Sequence, residues 1–362
     1  MSDCLIVGGG IIGLLTARYL HQGGASVCVL ERGEPGRESS WAGGGILSPL
    51  YPWRYPEPIN ALARWSQAHY AALCAELYAA TGIDPQWTRS GLLILDRDQD
   101  AAAERWAVRN AVPLAHLDAA GVAQLEPAVG PRTGALHLPA VAQVRNPLLL
   151  KALQQDLRQR GVTIHSHSPV SALIDKDGQI RGVETAAGAQ RAERVIIAAG
   201  AWSGRLLGAL GHPLPVQPVR GQMLLYDGQP GLLRSVVLLG GHYAIPRRDG
   251  RILVGSTMEE SGFDKSVTAE ARAALTAAGE AMIPALAGLP IERHWAGLRP
   301  GSPTGVPFIG PHPALAGLYV NAGHHRNGVV LAPASARLLA DLLLDRRSDL
   351  DPAPYALGRS QH

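Results

Sequence analysis

The amino-acid sequence predicts an α/β protein in which a doubly wound, Rossmann-like domain is joined to an α+β domain with a mixed sheet. A strand, a glycine-rich turn, a helix and a second strand follow one another within residues 4–31, and a buried-strand pattern returns at residues 194–203. Strand patterns also dominate residues 221–258. The first two observations predict the doubly wound sheet, since such sheets are built from strand–helix–strand units. The third observation predicts the mixed sheet.

The composition suits a chain with a large buried core rather than a disordered one, and it gives no sign of nucleic-acid or metal binding. The chain has 362 residues, of which 46% are hydrophobic and 17% charged, enough for two domains with a buried core. The net charge is only +3, and no cluster of lysines and arginines is present, which argues against nucleic-acid binding. Cys4, Cys28 and Cys74 lack metal-ligand spacing. We therefore expect no metal site, and we read Cys4 and Cys28 as buried hydrophobic residues.

The sequence also predicts a cytoplasmic protein without a membrane span. No run approaches the roughly 18–20 apolar residues that a spanning helix needs, and residues 1–3 lack the basic start of a secretory signal. The oligomeric state is left open, and a homo-oligomer is compatible with the sequence.

The first unit, residues 4–31, has the pattern of a dinucleotide-binding motif. Gly8 permits the tight turn after the first strand, Gly10 lets the backbone approach a pyrophosphate, and Gly13 lets the helix pack close to the strand. The helix N-terminus directs unsatisfied N–H groups and the positive end of its dipole at the phosphates. Glu31, at the end of the second strand, can accept hydrogen bonds from ribose hydroxyls and disfavours a 2′-phosphate. The motif by itself does not separate NAD from FAD.

The segment of residues 32–46 favours FAD. It contains a second run of glycines, Gly43-Gly44-Gly45, and residues without side chains let the backbone lie flat against a planar ring. The alternative is a flexible surface loop, but the apolar residues Trp41, Ile46 and Leu47 that bound the run count against it. The cofactor contacts predicted here are Arg32, Ser39, Ser40, Ala42, Gly43 and Gly44.

The remaining elements predict an interrupted domain organisation. Helical patterns occupy residues 60–80, 100–128, 147–160 and 329–344, and strand patterns occupy residues 92–95, 170–174, 180–184 and 318–321. We expect a discontinuous FAD-binding domain from residues 1–85, 145–218 and 302–362. A substrate-binding domain would consist of residues 86–144 and 219–301.

Further motifs are spread along the whole chain. They are Ala198-Ala199-Gly200-Ala201-Trp202-Ser203, Tyr243 to Arg247, Gly255-Ser256-Thr257-Met258, Trp295-Ala296-Gly297-Leu298-Arg299-Pro300-Gly301 and Gly323-His324-His325-Arg326-Asn327-Gly328. With these motifs and the N-terminal unit, the chain resembles the D-amino-acid oxidase superfamily of FAD-dependent oxidoreductases and, within it, the glycine oxidases of the thiamine pathway.

The resemblance implies a set of substrate contacts. It assigns to Arg299 the binding of the substrate carboxylate, to Tyr243 an aromatic hydroxyl in the pocket, and to Met258 a place in the pocket wall. Arg326 would close over the flavin and the substrate. A guanidinium is permanently charged and matches a carboxylate in bidentate geometry; the alternative for Arg299 is a structural arginine in a salt bridge.

The resemblance also implies cofactor contacts outside the N-terminal unit. Val170 would meet the adenine through its backbone, and the other contacts are Gly200, Trp202, His324, Asn327 and Gly328. His324 and His325 invite a general-base interpretation, but oxidation of a neutral amine by a flavin needs no strong base, since the cofactor carries the difficult chemistry. Packing and hydrogen bonding beside the flavin are the roles we expect.

The sequence departs from relatives of the sarcosine oxidase type in two places. No cysteine follows Cys74, so the FAD should be bound non-covalently. The strand of residues 251–254 contains no lysine, so the oxygen-activating lysine of those relatives has no counterpart there.

The predicted function is the FAD-dependent oxidative deamination of glycine and other small amino acids, such as sarcosine and D-alanine. The products would be a 2-oxo acid, ammonia and, with molecular oxygen as acceptor, hydrogen peroxide. Three alternatives remain at this point: a D-amino-acid or proline dehydrogenase with a quinone acceptor, a flavin-binding subunit without turnover, and a nicotinamide-dependent dehydrogenase.

Overall fold

The computed structural model describes residues 2–358 and places most strands of that part of the chain in two eight-stranded sheets. The strands of the first sheet are β1 (Ser2–Val7), β2 (Val27–Leu30), β8 (Thr163–His165), β9 (Val170–Lys176), β10 (Gln179–Thr185), β11 (Gly188–Ile197), β17 (Phe308–Pro311) and β18 (Leu318–Ala322). The strands of the second sheet are β4 (Leu92–Ile94), β5 (Ala115–Asp118), β6 (Gly134–Leu138), β12 (Gln217–Tyr226), β13 (Val236–Leu239), β14 (His242–Pro246), β15 (Ile252–Gly255) and β16 (Ile291–Gly301). A small separate ladder joins β3 (Thr88–Arg89) to β7 (Ala142–Gln143).

The centre of the first sheet is parallel, as the sequence predicts. Its strand order is β17-β18-β11-β1-β2-β8, and β1 pairs in parallel with both β2 and β11. The amino-terminal half of β11 pairs instead with β10, which pairs with β9, and both ladders are antiparallel. The carboxyl ends of the parallel strands meet at one edge of the sheet, and ligands of doubly wound folds bind there.

Helices cover one face of the first sheet. They are α1 (Ile11–Gln22), α2 (Ser39–Ala42), α3 (Glu57–Thr81), α6 (Asn146–Gln159) and α9 (Gly328–Leu343). Cys4 and Ile6 of β1 belong to the core beneath α1, α3, α6 and α9. Leu5 and Val7 belong to a second core on the opposite face, because successive side chains of a strand point to opposite sides. That second face also packs against α7 (Ser203–Ala209).

The second sheet has the order β16-β12-β15-β14-β13-β4-β6-β5 and is mixed, because β4 and β13 run parallel while its other ladders are antiparallel. One face packs against α8 (Ala269–Met282) through Leu275 and Met282. The other face carries Met223 and Tyr243 and packs against Ile46 and Leu50 from the nucleotide-binding part of the chain. This contact places the second sheet over the predicted cofactor segment.

The alanine-rich composition of residues 100–128 predicts one helical region, but the structure does not contain one there. The segment forms α4 (Asp100–Asn110), strand β5 and α5 (Ala119–Leu125). Strand β5 pairs with β6 from Ala115 to Asp118. It contains only one of the alanines of the segment, and Pro113 just before it cannot continue a helix. In residues 2–358 no helix has both the length and the apolar character needed to cross a membrane.

Candidate active site

A cavity of about 410 Å³ is lined by residues of both sheets. Its nucleotide side comprises the turn between β1 and α1, the end of β2, helix α2 and the second glycine run. Its other side contains Tyr243 and Arg299 from the second sheet. The volume lies in the range of small-molecule and cofactor sites.

Close backbone contacts explain the glycines of the first turn. Gly8 has a φ of +117°, and a Cβ there would lie 2.3 Å from the carbonyl oxygen of Ala198. A Cβ on Gly13 would lie 1.9 Å from the carbonyl oxygen of Gly8, so Gly13 sits behind the cavity and lets α1 approach β1. Gly10 lines the cavity directly. The Ser40 hydroxyl accepts a hydrogen bond from the Ile11 amide at 3.0 Å, which brings α2 against the start of α1.

Glu31 lines the cavity and also fixes the backbone on its nucleotide side. Its carboxylate accepts hydrogen bonds from the backbone amides of Gly9 at 2.7 Å and Gly33 at 3.0 Å. Each carboxylate oxygen can accept a further bond, so the predicted role toward ribose hydroxyls is compatible with this geometry. The sequence did not indicate the contact to Gly9, which joins the end of β2 to the glycine turn.

Three side chains hold the carbonyl groups of Ala42 and of the first two glycines of the second glycine run. The bonds are Trp295 Nε1 to Ala42 O at 3.2 Å, Asn146 Nδ2 to Gly43 O at 2.9 Å and Arg247 Nη2 to Gly44 O at 2.7 Å. Burial lowers the pKa of the Arg247 guanidinium to about 10. Ala42, Gly43 and Gly44 line the cavity, so these bonds fix the backbone that faces the cofactor space.

Of these three donors, Asn146 left no signal in the sequence. Trp295 and Arg247 lie in motifs of the family resemblance, but their contacts with the glycine run were not predicted. Each donor belongs to an element remote in sequence from the run, so only the tertiary structure shows the contacts.

The outer end of the nucleotide side is formed by aromatic and charged residues. The Arg32 guanidinium lies 3.5 Å from the ring centroid of Trp202, a cation–π contact, and pairs with Glu38 at 2.9 Å. Lys265 also pairs with Glu38 at 3.0 Å. The predicted contacts Arg32, Ser39, Ser40, Val170, Gly200 and Trp202 all line the cavity.

The segment before α9 carries buried polar atoms without protein partners. His324 and Asn327 are 2% and 4% exposed, and both line the cavity with Gly328. In the described residues no hydrogen-bond partner is found for His324 Nε2 or Asn327 Nδ2. Burial lowers the pKa of His324 to about 3, so this imidazole is neutral at pH 7. Buried polar atoms normally have partners, and a heterocyclic cofactor with nitrogen and oxygen atoms along its edge would supply them.

The cavity, the glycine backbone and these partnerless atoms together fit FAD. The nucleotide side offers a helix N-terminus for phosphates and Glu31 for ribose. The second glycine run and the residues before α9 would hold the flavin.

Arg299 lies on the cavity wall of the second sheet as a half-buried cation. Its guanidinium donates to the carbonyl oxygens of Thr257 at 3.0 Å and Arg220 at 3.3 Å, and to the Ser256 hydroxyl at 2.6 Å. Among the ion pairs of residues 2–358, none includes Arg299 or Arg326. Burial lowers the pKa of Arg299. A cation that is partly removed from water and has no acidic partner is costly, and an anionic ligand would compensate it.

Tyr243 and Met223 form the wall beside Arg299, whereas Met258 does not. The Tyr243 hydroxyl donates to the Met223 sulfur at 3.4 Å, and the two side chains are 8% and 2% exposed. Met258 is 55% exposed and does not belong to the cavity lining. The structure therefore corrects the prediction that Met258 forms part of the pocket wall. Met258 follows the end of β15, where the strand pattern no longer determines which way a side chain points.

Arg326 and His325 complete the substrate side. Both line the cavity, and Arg326 donates to the carbonyl oxygen of Gly241 at 3.5 Å. Burial and the neighbouring Arg299 and Arg326 guanidinium groups lower the pKa of His325 to about 4. The positive charge of this region therefore comes from the two arginines and not from the histidines.

Comparison with known proteins agrees with this geometry. Residues 3–342 match the model of the DAO family, described as FAD dependent oxidoreductase. A relative from Pseudomonas putida named glycine oxidase is 49% identical over 357 residues, which cover 98% of this chain and 98% of the relative. A relative with the same name from Pseudomonas aeruginosa is 49% identical and covers 97% of each chain.

Solved structures give the same result. The crystal structure of glycine oxidase from Geobacillus kaustophilus superposes with a TM-score of 0.94 at 30% identity, covering 100% of this chain and 99% of the other. The crystal structure of iminodiacetate oxidase from Chelativorans sp. BNC1 superposes with a TM-score of 0.90 at 28% identity, covering 98% of each chain. The chain belongs to the DAO family of FAD-dependent oxidoreductases.

Proposed function

We propose that this enzyme catalyses the oxidative deamination of glycine and of similarly small amino acids, including sarcosine and D-alanine. The observation that carries the proposal is Arg299, a half-buried guanidinium on the wall of the cofactor cavity that forms no ion pair within residues 2–358. An α-carboxylate is the anion that fits this position, since the guanidinium can bind it with two parallel hydrogen bonds. The names of the Pseudomonas relatives support glycine as the substrate.

The residues of the chain bind and orient the substrate. Arg299 fixes the carboxylate, and Arg326, which lines the same cavity, adds positive charge. The Tyr243 hydroxyl donates only to a thioether in this structure, a weak acceptor, so it is available to a carboxylate oxygen. When bound, FAD supplies the two-electron oxidation that converts the amine into an imine.

No residue of the cavity is needed as a strong base. His324 is buried and His325 half-buried, and their pKa values lie at about 3 and about 4, so both are neutral and weakly basic. We propose that the substrate reacts as the neutral amine and that water hydrolyses the released imine to glyoxylate and ammonia. Molecular oxygen is the proposed electron acceptor, with hydrogen peroxide as its product.

The cofactor contacts and the domain division are parts of the same proposal. The residues that line the nucleotide side would hold FAD without a covalent bond, since Cys4, Cys28 and Cys74 are all buried outside the cavity lining. The strands of the first sheet come from residues 2–30, 163–197 and 308–322, and those of the second from residues 92–138 and 217–301. This distribution supports a discontinuous FAD-binding domain and a substrate-binding domain.

A peroxide-coupled assay of the FAD-loaded protein tests the function. Glycine, sarcosine and D-alanine should each give peroxide under air, while D-phenylalanine should be a poor substrate because Met223 and Tyr243 fill the space beside Arg299. Overfilling a packed site costs about 1–3 kcal/mol. If glycine is oxidised with a quinone but gives no peroxide under air, the electron acceptor is a quinone and not molecular oxygen. Absence of turnover of every small amino acid with either acceptor would overturn the proposal.

A further inference from the structure

A hydrogen-bonded cluster of polar side chains lies beside the backbone that holds Arg299, and the proposed reaction does not use it directly. We call it the Glu259 cluster. Its members are Arg220, Gln222, Thr257, Glu259 and Asp264.

Glu259 is the centre of this cluster. Its carboxylate accepts from Arg220 Nε at 3.0 Å and Nη2 at 2.5 Å, from Gln222 Nε2 at 2.9 Å, and from the Thr257 hydroxyl. The Arg220 side chain is 9% exposed and that of Glu259 is 26% exposed. Both oxygens of the carboxylate are therefore engaged in a largely buried set of bonds.

The cluster keeps Glu259 ionised. Burial by itself would raise the pKa of this carboxyl group, but the hydrogen bonds from Thr257, Arg220 and Gln222 outweigh burial and lower the pKa. Hydrogen bonds between charged groups are roughly twice as strong as neutral ones, so the pair with Arg220 is the firmest link in the cluster.

Two carbonyl groups of residues in the cluster accept hydrogen bonds from Arg299. The Arg220 carbonyl accepts a hydrogen bond from the Arg299 guanidinium at 3.3 Å and another from the backbone amide of Glu259 at 3.0 Å. The Thr257 carbonyl accepts a hydrogen bond from the Arg299 guanidinium at 3.0 Å. The Thr257 hydroxyl accepts one from the backbone amide of Gln222 at 2.9 Å and donates to the Glu259 carboxylate. Glu259 thus ties together the two segments that cradle the guanidinium.

We propose that Glu259 is a positioning residue for the carboxylate-binding guanidinium of Arg299. The proposal rests on the proposed function of Arg299 as the substrate anchor. Glu259 acts on substrate binding through the carbonyl groups of Arg220 and Thr257. Without the Glu259 carboxylate, the backbone pair between Arg220 and Glu259 remains, but the side-chain bonds that join it to Thr257 and Gln222 weaken. The Thr257 carbonyl can then shift relative to the Arg220 carbonyl, and the guanidinium of Arg299 loses its alignment.

Acetate binding to the FAD-loaded protein, measured by isothermal titration calorimetry, tests this role. Glu259→Gln keeps the shape of the side chain but removes its charge. We expect it to weaken acetate binding about tenfold, a coupling typical of residues in one hydrogen-bond network. The matched control is Glu260→Gln, a change at the adjacent exposed acidic residue, which should leave the acetate affinity unchanged.

A double-mutant cycle separates positioning from a general effect on the fold. If Glu259 acts through Arg299, adding Glu259→Gln to Arg299→Lys should weaken acetate binding by less than about twofold, since the aligned fork is already lost. A tenfold loss in both backgrounds would overturn the proposal. Wild-type acetate affinity in Glu259→Gln would overturn it as well.

A second variant covers the case in which Glu259→Gln does not fold. Thr257→Val removes only the hydroxyl that links Thr257 to Glu259 and Gln222, and it should weaken acetate binding in the same way; unchanged affinity contradicts the proposal. Acetate binding requires no turnover, so this test is separate from the proposed function. If glycine is not oxidised but acetate binding shows the coupling between Glu259 and Arg299, the positioning role of Glu259 is supported and the proposed substrate is wrong.

Discussion

Replacing Gly221 with alanine should displace the substrate-binding guanidinium without unfolding the protein. Gly221 is buried in β12, and a Cβ there would lie 2.2 Å from both terminal nitrogens of Arg299 and 2.4 Å from its Cζ. Ordinary contacts of a Cβ begin near 3.4 Å, so the guanidinium must move by about 1 Å or more. The atoms that the new Cβ would meet belong to the end of the flexible Arg299 side chain and not to the backbone. The strand can therefore remain in place while Arg299 moves.

The expected loss is large because the alignment of the carboxylate depends on Arg299. A misplacement of about 1 Å costs about 100-fold in rate, and we expect a decrease of this order in kcat/KM for glycine. The assay is steady-state peroxide production, combined with the FAD content and the thermal midpoint of each variant. The matched control is Gly208→Ala in α7, where a Cβ would meet no atom within 4 Å and where alanine favours the helix.

The result that would refute the reasoning is specific. A Gly221→Ala protein that retains FAD and keeps kcat/KM within about threefold of the wild type would show that Arg299 need not occupy its present place. The carboxylate anchor would then have to be sought elsewhere, first at Arg326. A comparable loss in Gly208→Ala would mean that the effect does not come from Arg299.

Three further predictions concern the anchor, the histidines and the cofactor. Arg299→Ala should reduce kcat/KM far more than Tyr243→Phe, because removing a charged partner of a buried carboxylate costs about 2–5 kcal/mol and a neutral hydrogen bond contributes about 0.5–1.5 kcal/mol; equal losses would contradict the assignment. The pKa of His325 is about 4 in the folded protein against about 6.5 unfolded, so the unfolded state binds the extra proton and stability falls as the pH drops from about 6.5 to 4. The urea midpoint should therefore decrease less between pH 7.5 and 4.5 in His325→Gln than in the wild type, and identical decreases would refute the pKa argument. Denaturation should release yellow FAD into the filtrate; flavin that remains with the polypeptide would refute non-covalent binding.

The sequence by itself determined the nucleotide-binding unit of this protein. Gly8, Gly10, Gly13 and Glu31 lie within one short strand–turn–helix–strand segment, and each position has a requirement that local geometry explains. The continuous apolar run Cys4-Leu5-Ile6-Val7 likewise predicts a strand buried on both faces. Such features depend on residues close in the chain, so their spacing is visible without the fold.

The sequence located the substrate side only through family motifs. Arg299, Tyr243 and Arg326 are recognised by resemblance, and no spacing rule places them in one cavity. The alanine-rich composition of residues 100–128 misled the prediction for β5, because pairing with β6 is a contact between separate segments.

The tertiary structure alone decided which methionine forms the pocket wall. In the register of the second sheet, Met223 of β12 and Tyr243 of β14 both lie opposite Gly255 of β15. A Cβ on Gly255 would lie 2.4 Å from the Met223 sulfur and 2.9 Å from the Tyr243 ring, so the two side chains meet over a residue that has none. Met258 lies beyond the end of that strand and is exposed. Strand pairing brings residues 223, 243 and 255 together, and the register of remote strands follows from packing over the whole sheet rather than from local sequence.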